Sequence, residues 1–250
     1  MQWQLKPARD LGLPLSERLI SQKREFGLVA TATHWCWRQM ARRYLRWFHR
    51  LDVVGIERLP APPFVMIANH ASHLDALTLC AVLPAPLADR AYPLAAADTF
   101  FTSFAISAFA AYAVNALPMW RKRTRREDLA GLRARLIEDR LVFVLFPEGT
   151  RSRDGEMTKF KPGIGAFVAG TEAPVVPCYL DGAFAAWPAH RRMPRRGALR
   201  LVIGASLRFD DLPNTRDGWD EVAARCEAAV RSLRRDCVGA AAAQLPRTST

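Results

Sequence analysis

Pro63-Phe64-Val65-Met66-Ile67-Ala68-Asn69-His70-Ala71-Ser72-His73-Leu74-Asp75 is the stretch from which the rest of the chain can be read. Its first five residues form an apolar run of strand length, as expected of a buried strand. Ala76-Leu77-Thr78-Leu79-Cys80-Ala81-Val82-Leu83, immediately after it, reads as a helix. In the loop between them, a histidine at the strand end is followed by an aspartate at position 75. Such a pair can place imidazole and carboxylate side by side, so that the carboxylate fixes the tautomer and stabilises the protonated ring. A nucleophile from the protein is then unnecessary if the substrate carries its own hydroxyl. The same residues have a plainer reading, with Asn69 and Asp75 as turn and N-cap residues and His70 incidental.

Further along, Leu141-Val142-Phe143-Val144-Leu145-Phe146 is a second continuous apolar run, as expected of a central parallel strand covered on both faces. It runs into Pro147-Glu148-Gly149-Thr150-Arg151-Ser152, a polar loop at the end of a strand where open α/β sheets place ligands. The loop combines a glycine, a hydroxyl and a guanidinium, which together can wrap a phosphate. Other strands are expected at Asp52 to Ile56, Ala91 to Ala96, near Ala113 to Leu117, Val175 to Leu180 and Leu199 to Phe209. Helices are expected from about Thr99, over Arg126 to Arg140, Gly163 to Ala169 and Trp219 to Val238. Strands alternating with helical segments predict an α/β fold: a mixed, largely parallel central sheet flanked by helices.

The chain has 250 residues, half of them hydrophobic, which suits one sizeable globular domain. Thirty-six Lys and Arg against 24 Asp and Glu give a net charge of +12, which favours a polyanionic partner: nucleic acid, an acidic membrane or an acidic carrier protein. Five scattered cysteines form no zinc spacing and read as reduced thiols of a cytosol-facing protein. Met1 to Leu19 lacks the basic-then-apolar pattern of a signal peptide. Phe100 to Leu117 is the most apolar window, but with Ser103, Ser107 and Asn115 in it a buried helix running into a strand is expected.

Thr33 to Leu51 has sharp helical periodicity. Arg38, Gln39, Arg42, Arg43, Arg46, His49 and Arg50 fall within an arc of roughly 140°, opposite Trp37, Met40, Ala41, Tyr44, Leu45, Trp47, Phe48 and Leu51. This N-terminal amphipathic helix either lies in a headgroup layer or packs its aromatic side on the core. The expected organisation is an N-terminal helical, membrane-interfacial segment over residues 1–50, one domain over 51–238 and a disordered tail over 239–250.

Asn69-His70-x-Ser72-x-x-Asp75, followed about 70 residues later by Phe146-Pro147-Glu148-Gly149-Thr150-Arg151-Ser152, resembles the glycerolipid acyltransferases. Among them it looks most like the bacterial lysophosphatidic acid (1-acylglycerol-3-phosphate) acyltransferases. Arg121 after a short hydrophobic strand, Phe160-Lys161-x-Gly163 and Val175-Val176-Pro177 fit lesser motifs of that family, and the resemblance covers roughly residues 50 to 210. It implies that His70 is a general base on the free hydroxyl of a lysophospholipid, that Asp75 orients it, and that the hydroxyl attacks an acyl thioester directly. It also implies that Arg121, Gly149 and Arg151 hold the acceptor phosphate, with Thr150 beside them. Glu148 belongs to the same loop, either on substrate or organising the loop and its arginine. His73 reads as a supporting residue, and Ser72 and Ser152 as loop hydrogen-bonders rather than nucleophiles.

The implied donor is acyl-CoA or acyl-carrier protein, and the implied acceptor is lysophosphatidate or another lysolipid such as lysophosphatidylethanolamine or a lyso-aminolipid. No resident cofactor, metal or nucleic acid is expected. The implied location is the cytoplasmic face of a membrane, held there peripherally or monotopically. Asn115 stands where the family has Gly and Trp120 where a polar residue is common, and both lie near the expected acceptor site. Two rival readings explain less. His70, His73 and Asp75 superficially resemble a metallo-β-lactamase ligand run, but the spacing is wrong and Ala76 stands where a histidine is needed. A non-enzymatic basic module accounts for the charge but not for the two loops.

Overall fold

The computed structural model describes residues 8–25, 27–119 and 126–243. Seven strands form one sheet: β1 (Asp52–Val54), β2 (Phe64–Ala68), β3 (Ala91–Ala96), β4 (Leu117–Met119), β5 (Val142–Leu145), β6 (Val175–Asp181) and β7 (Arg200–Ile203). Their order is β1-β7-β6-β2-β5-β3-β4, and every pairing is parallel except β6 with β7. The mixed, largely parallel sheet expected from the sequence is the one observed. Helices are α1 (Leu15–Leu19), α2 (Leu28–Phe48), α3 (Asp75–Val82), α4 (Ala85–Ala88), α5 (Ala97–Phe100), α6 (Phe104–Ala108), α7 (Arg126–Glu138), α8 (Gly165–Val168), α9 (Ala183–Ala186) and α10 (Arg216–Ala243).

The apolar runs become the centre of the sheet because both faces of their strands are covered. Val65 and Ile67 of β2 and Phe143 and Leu145 of β5 meet α7, α8 and α10 through Leu132, Leu136, Phe167, Val168, Val222, Cys226 and Val230. Phe64, Met66 and Ala68, with Val142 and Val144, face α2 and α3 through Ala41, Leu45 and Leu79. Every residue of β2 is fully buried. At about 1.5–3 kcal/mol for each large apolar side chain withdrawn from water, these two strands anchor both layers.

Several boundaries differ from the periodicity. The segment from Phe100 onward is not one core helix. It breaks into α5, α6 and a π-helical turn at Phe109–Ala113, and Phe100, Phe104, Ile106 and Phe109 are exposed. The strand expected near Ala113 starts only at Leu117, because Asn115 takes a left-handed backbone (φ +59°) that ends the helical path. Asparagine tolerates that conformation where most side chains do not. Asn115 is fully buried, and its amide donates to Ala91 O at 2.8 Å. Trp120 lies outside the described residues. The strand expected over Leu199 to Phe209 stops at Ile203, with Leu207 adding one isolated bridge to Val175. The last helix continues through Ala243, past the Gly239 at which a tail was expected; residues 244–250 lie outside the described ones.

The amphipathic helix α2 turns a different face inward from the one its charge pattern suggests. Ala30, His34, Arg38, Ala41 and Leu45 form its buried stripe, while Val29, Trp35, Met40 and Trp47 are exposed. Arg42 is drawn in as well, donating to Ala81 O and Leu83 O at the end of α3. Spacing alone ranked arginine outward; the α3 carbonyls and the small residues beside them decided otherwise. No helix among the described residues is long and apolar enough to cross a membrane.

Candidate functional site

β2 and β5 are adjacent and in register, with Ile67 opposite Leu145, so the loops that leave their C-terminal ends must meet. Asn69 fixes the first loop to the other neighbour: its amide donates to Leu180 O at 3.0 Å and accepts Leu180 N–H at 2.8 Å, continuing the β2–β6 ladder with a side chain. The next residue, His70, is held by both ends of its backbone. Its N–H donates to Glu148 Oε1 at 2.8 Å, and its carbonyl accepts Ser152 N–H at 2.8 Å.

The His70 Nδ1–H donates to Asp75 Oδ2 at 2.8 Å. Asp75 opens α3, is fully buried, and accepts Ala71 N–H at 2.7 Å and Ser72 N–H at 2.8 Å on the same oxygen. The N-cap of α3 is Leu74, without a side-chain cap bond, so Asp75 is not the N-cap of the plainer reading: it gathers amide hydrogens of the preceding loop and fixes the imidazole. With Nδ1 carrying the proton, Nε2 is left with its lone pair and no hydrogen-bond partner among the described residues. The ring stacks on Phe146, centroids 4.1 Å apart and planes 15° from parallel, and remains part-exposed. The sequence reading gave Phe146 no role, although it opens the second motif and closes the apolar run before it.

Of the residues expected to hold phosphate, Thr150 is exposed and Arg151 half-buried at the mouth. Gly149 turns the loop with φ +76°, and a Cβ there would lie 2.6 Å from Lys161 Nζ. Glu148 is not available to a substrate. It is 2% exposed, and besides His70 N–H it accepts Thr158 N–H at 2.9 Å and Thr158 Oγ1–H at 2.8 Å. It ties the two loops together, the organising alternative of the sequence reading. Arg121 lies outside the described residues.

His73 supports this arrangement from outside the pair. Arg151 Nη1 donates to His73 Nδ1 at 2.6 Å, and His73 Nε2 lies 3.4 Å from Ala189 O. Burial, and then the neighbouring Arg151 charge, hold the His73 pKa below the ordinary histidine value. Ser72 Oγ–H donates to Trp187 O at 2.7 Å and Ser152 Oγ accepts Gly155 N–H at 3.1 Å, so both hydroxyls brace loops. Trp187 and Ala189 come from a segment far along the chain with no motif of its own, and sequence reading could not have placed them here.

The family model described as "Acyltransferase" matches residues 50–181. A 1-acyl-sn-glycerol-3-phosphate acyltransferase alpha of Mus musculus is 32% identical over 180 residues, covering 67% of this chain and 60% of the relative. The chloroplastic 1-acyl-sn-glycerol-3-phosphate acyltransferase BAT2 of Brassica napus is 29% identical over 160 residues, covering 62% and 44%. The chain thus spans about half the length of the curated relatives it matches. A crystal structure of the LPA acyltransferase PlsC from Thermotoga maritima superposes with a TM-score of 0.63 at 21% identity, covering 82% of this chain and 80% of that one.

Proposed function

The chain belongs to the acyltransferase family, whose model matches just over half of it, and on that premise we propose that it moves a fatty acyl group from a thioester donor to the free hydroxyl of a lysophospholipid, lysophosphatidate first among acceptors. The observation that carries this reading is the His70–Asp75 pair, 2.8 Å apart, with Nε2 left without a hydrogen-bond partner among the described residues. Nε2 takes the proton of the acceptor hydroxyl as the oxygen attacks the thioester carbonyl. The tetrahedral intermediate collapses with loss of the donor's thiolate, which recovers the proton from the imidazolium. Asp75 stabilises that imidazolium and remains ionised itself. No acyl-enzyme is needed, in keeping with the structural use of both Ser72 and Ser152.

The acceptor phosphate is assigned to Arg151, Gly149 and Thr150, with Arg121 as the expected second guanidinium. A phosphate monoester carries between one and two charges and offers several oxygens to a planar fork, which favours arginine over lysine. The donor is acyl-CoA or acyl-carrier protein. The protein's place is the cytoplasmic face of a membrane, in keeping with the exposed Trp35, Met40 and Trp47 on α2 and with Phe109, whose ring meets Trp37 edge-on at 5.0 Å.

Mass spectrometry of products from purified protein, a lysolipid panel and both donor types tests the reading. Phosphatidate formed from lysophosphatidate is expected, with Arg151→Ala raising KM for that acceptor and Arg151→Lys restoring it in part. Turnover only of a phosphodiester or phosphate-free lysolipid would remove the acceptor claim and leave the acyl transfer.

A further inference from the structure

The connection from α9 to β7 is strongly basic, and the reaction above makes no use of it. Residues 188–199 contain His190, Arg191, Arg192, Arg195 and Arg196 and no acidic residue. The segment is fixed at both ends. At its start Pro188 pairs with Ser72, Ser72 and His73 both donate to Trp187 O, and the His73 and Trp187 rings are 5.0 Å apart. At its end Gly197 O lies 3.3 Å from His49 Nδ1, and Leu199 N–H donates to His49 O at 3.0 Å, just beyond α2.

Between these anchors Arg192, Met193, Arg195 and Arg196 are all exposed, Met193 at 72%. Arg191 donates to Ala185 O, but among the described residues Arg192, Arg195 and Arg196 make no side-chain hydrogen bond or ion pair. Across the His49 junction, the end of α2 repeats the pattern: Arg46 and Arg50 are exposed beside Trp47, itself 77% exposed. Unpartnered guanidinium groups around a protruding Met and Trp match a layer that offers anions at its surface and hydrocarbon just beneath. An acidic protein could take the arginines. The exposed apolar residues, however, are spread from Leu28 to Trp47 over the outward face of a helix about 30 Å long, a reach suited to an extended surface.

We infer that residues 190–197 form a platform for anionic phospholipid headgroups at the rim of the His70 loop. It is a second membrane contact beside α2, one that holds the mouth of the site against the surface carrying the acceptor. The purpose given to the platform rests on the proposed function; the binding itself does not.

The test uses the full chain and sedimentation with phosphatidylcholine vesicles, with and without phosphatidylglycerol, in the absence of donor and acceptor. At low salt, Arg192→Gln/Arg195→Gln/Arg196→Gln should weaken partition onto the anionic vesicles about 100-fold, from about fivefold for each charge near such a surface. Added salt should erase that difference. A control triple variant, Arg208→Gln/Arg216→Gln/Arg235→Gln, should bind as wild type, and melting curves should show all three proteins folded. Turnover of a monomeric short-chain acceptor should be unchanged in the loop variant, while turnover of acceptor presented in vesicles falls. Vesicle binding undiminished in the loop variant would overturn the platform. So would a loss confined to turnover with acyl-carrier protein, which would make an acidic protein the partner. If wild type acylates nothing in the panel and the loop variant still leaves the vesicles, the platform stands and the proposed reaction falls.

Discussion

Asp75 and Arg38 are both charged side chains withdrawn from water, 0% and 3% exposed, and their surroundings treat them in opposite ways. One oxygen of Asp75 collects three N–H donors from the loop it closes, although its other oxygen has none. Among the described residues Arg38, in α2, has neither Nε nor Nη1 hydrogen-bonded, and its nearest carboxylate oxygen, on Asp89, is 4.0 Å away. A buried charge that organises its neighbours sets the geometry of a site and cannot be exchanged. One that merely fits its cavity is a cost the fold carries, and an apolar side chain of similar volume could replace it.

Asp75→Asn is the harshest way to break this comparison. The amide keeps the shape but cannot stabilise the imidazolium, so acyl transfer should fall by about 10²–10⁴-fold, measured as initial rate on protein whose circular dichroism is unchanged. Glu148→Ala comes next. It strips the partner from His70 N–H, and thermal or urea unfolding should register a loss of about 1–3 kcal/mol together with a slower reaction. Arg38→Met should do the reverse, leaving stability unchanged or raised by about 1 kcal/mol. A large destabilisation there would mean that Arg38 organises its surroundings after all.

The smallest expected effect is on pH dependence. Burial holds the pKa values of His34, His49 and His73 below the ordinary value. The unfolded chain therefore binds protons that the folded one excludes, and the stability these groups contribute is complete above about pH 6.5 and is lost as pH falls below it. The melting temperature should drop on going below that pH, and the drop should shrink in His34→Gln, whose amide can replace the 2.9 Å bond from His34 Nδ1 to Ala113 O. An identical drop in the variant would remove His34 from the account.

The same contrast explains what could be read in the sequence. β2 and β5 announced themselves because a strand covered on both faces must be apolar throughout, and their loops carried residues whose chemistry is specific at fixed spacing. Asp75 lies close enough in sequence to His70 for its partnership to be foreseen. The inward turn of Arg38 was not legible, since the periodicity of α2 reports amphipathicity while the neighbours in α3 choose which face goes in. Nor was the Trp187–Ala189 wall, which reaches the site through the chain's path back across the sheet. Glu148 stood between these cases: its place in the loop was evident, but its three donors lie on His70 and Thr158, and only the fold brings them together.

The central claim is that His70 Nε2 is the base, and it is tested most directly by comparing His70→Ala with His73→Ala at saturating donor and lysophosphatidate. His70→Ala should lose about 10²–10⁴-fold in rate while melting as wild type does. His73→Ala should keep most of its turnover and show its defect as a higher KM, because it only positions Arg151. An active His70→Ala protein beside an inactive His73→Ala one would contradict the account.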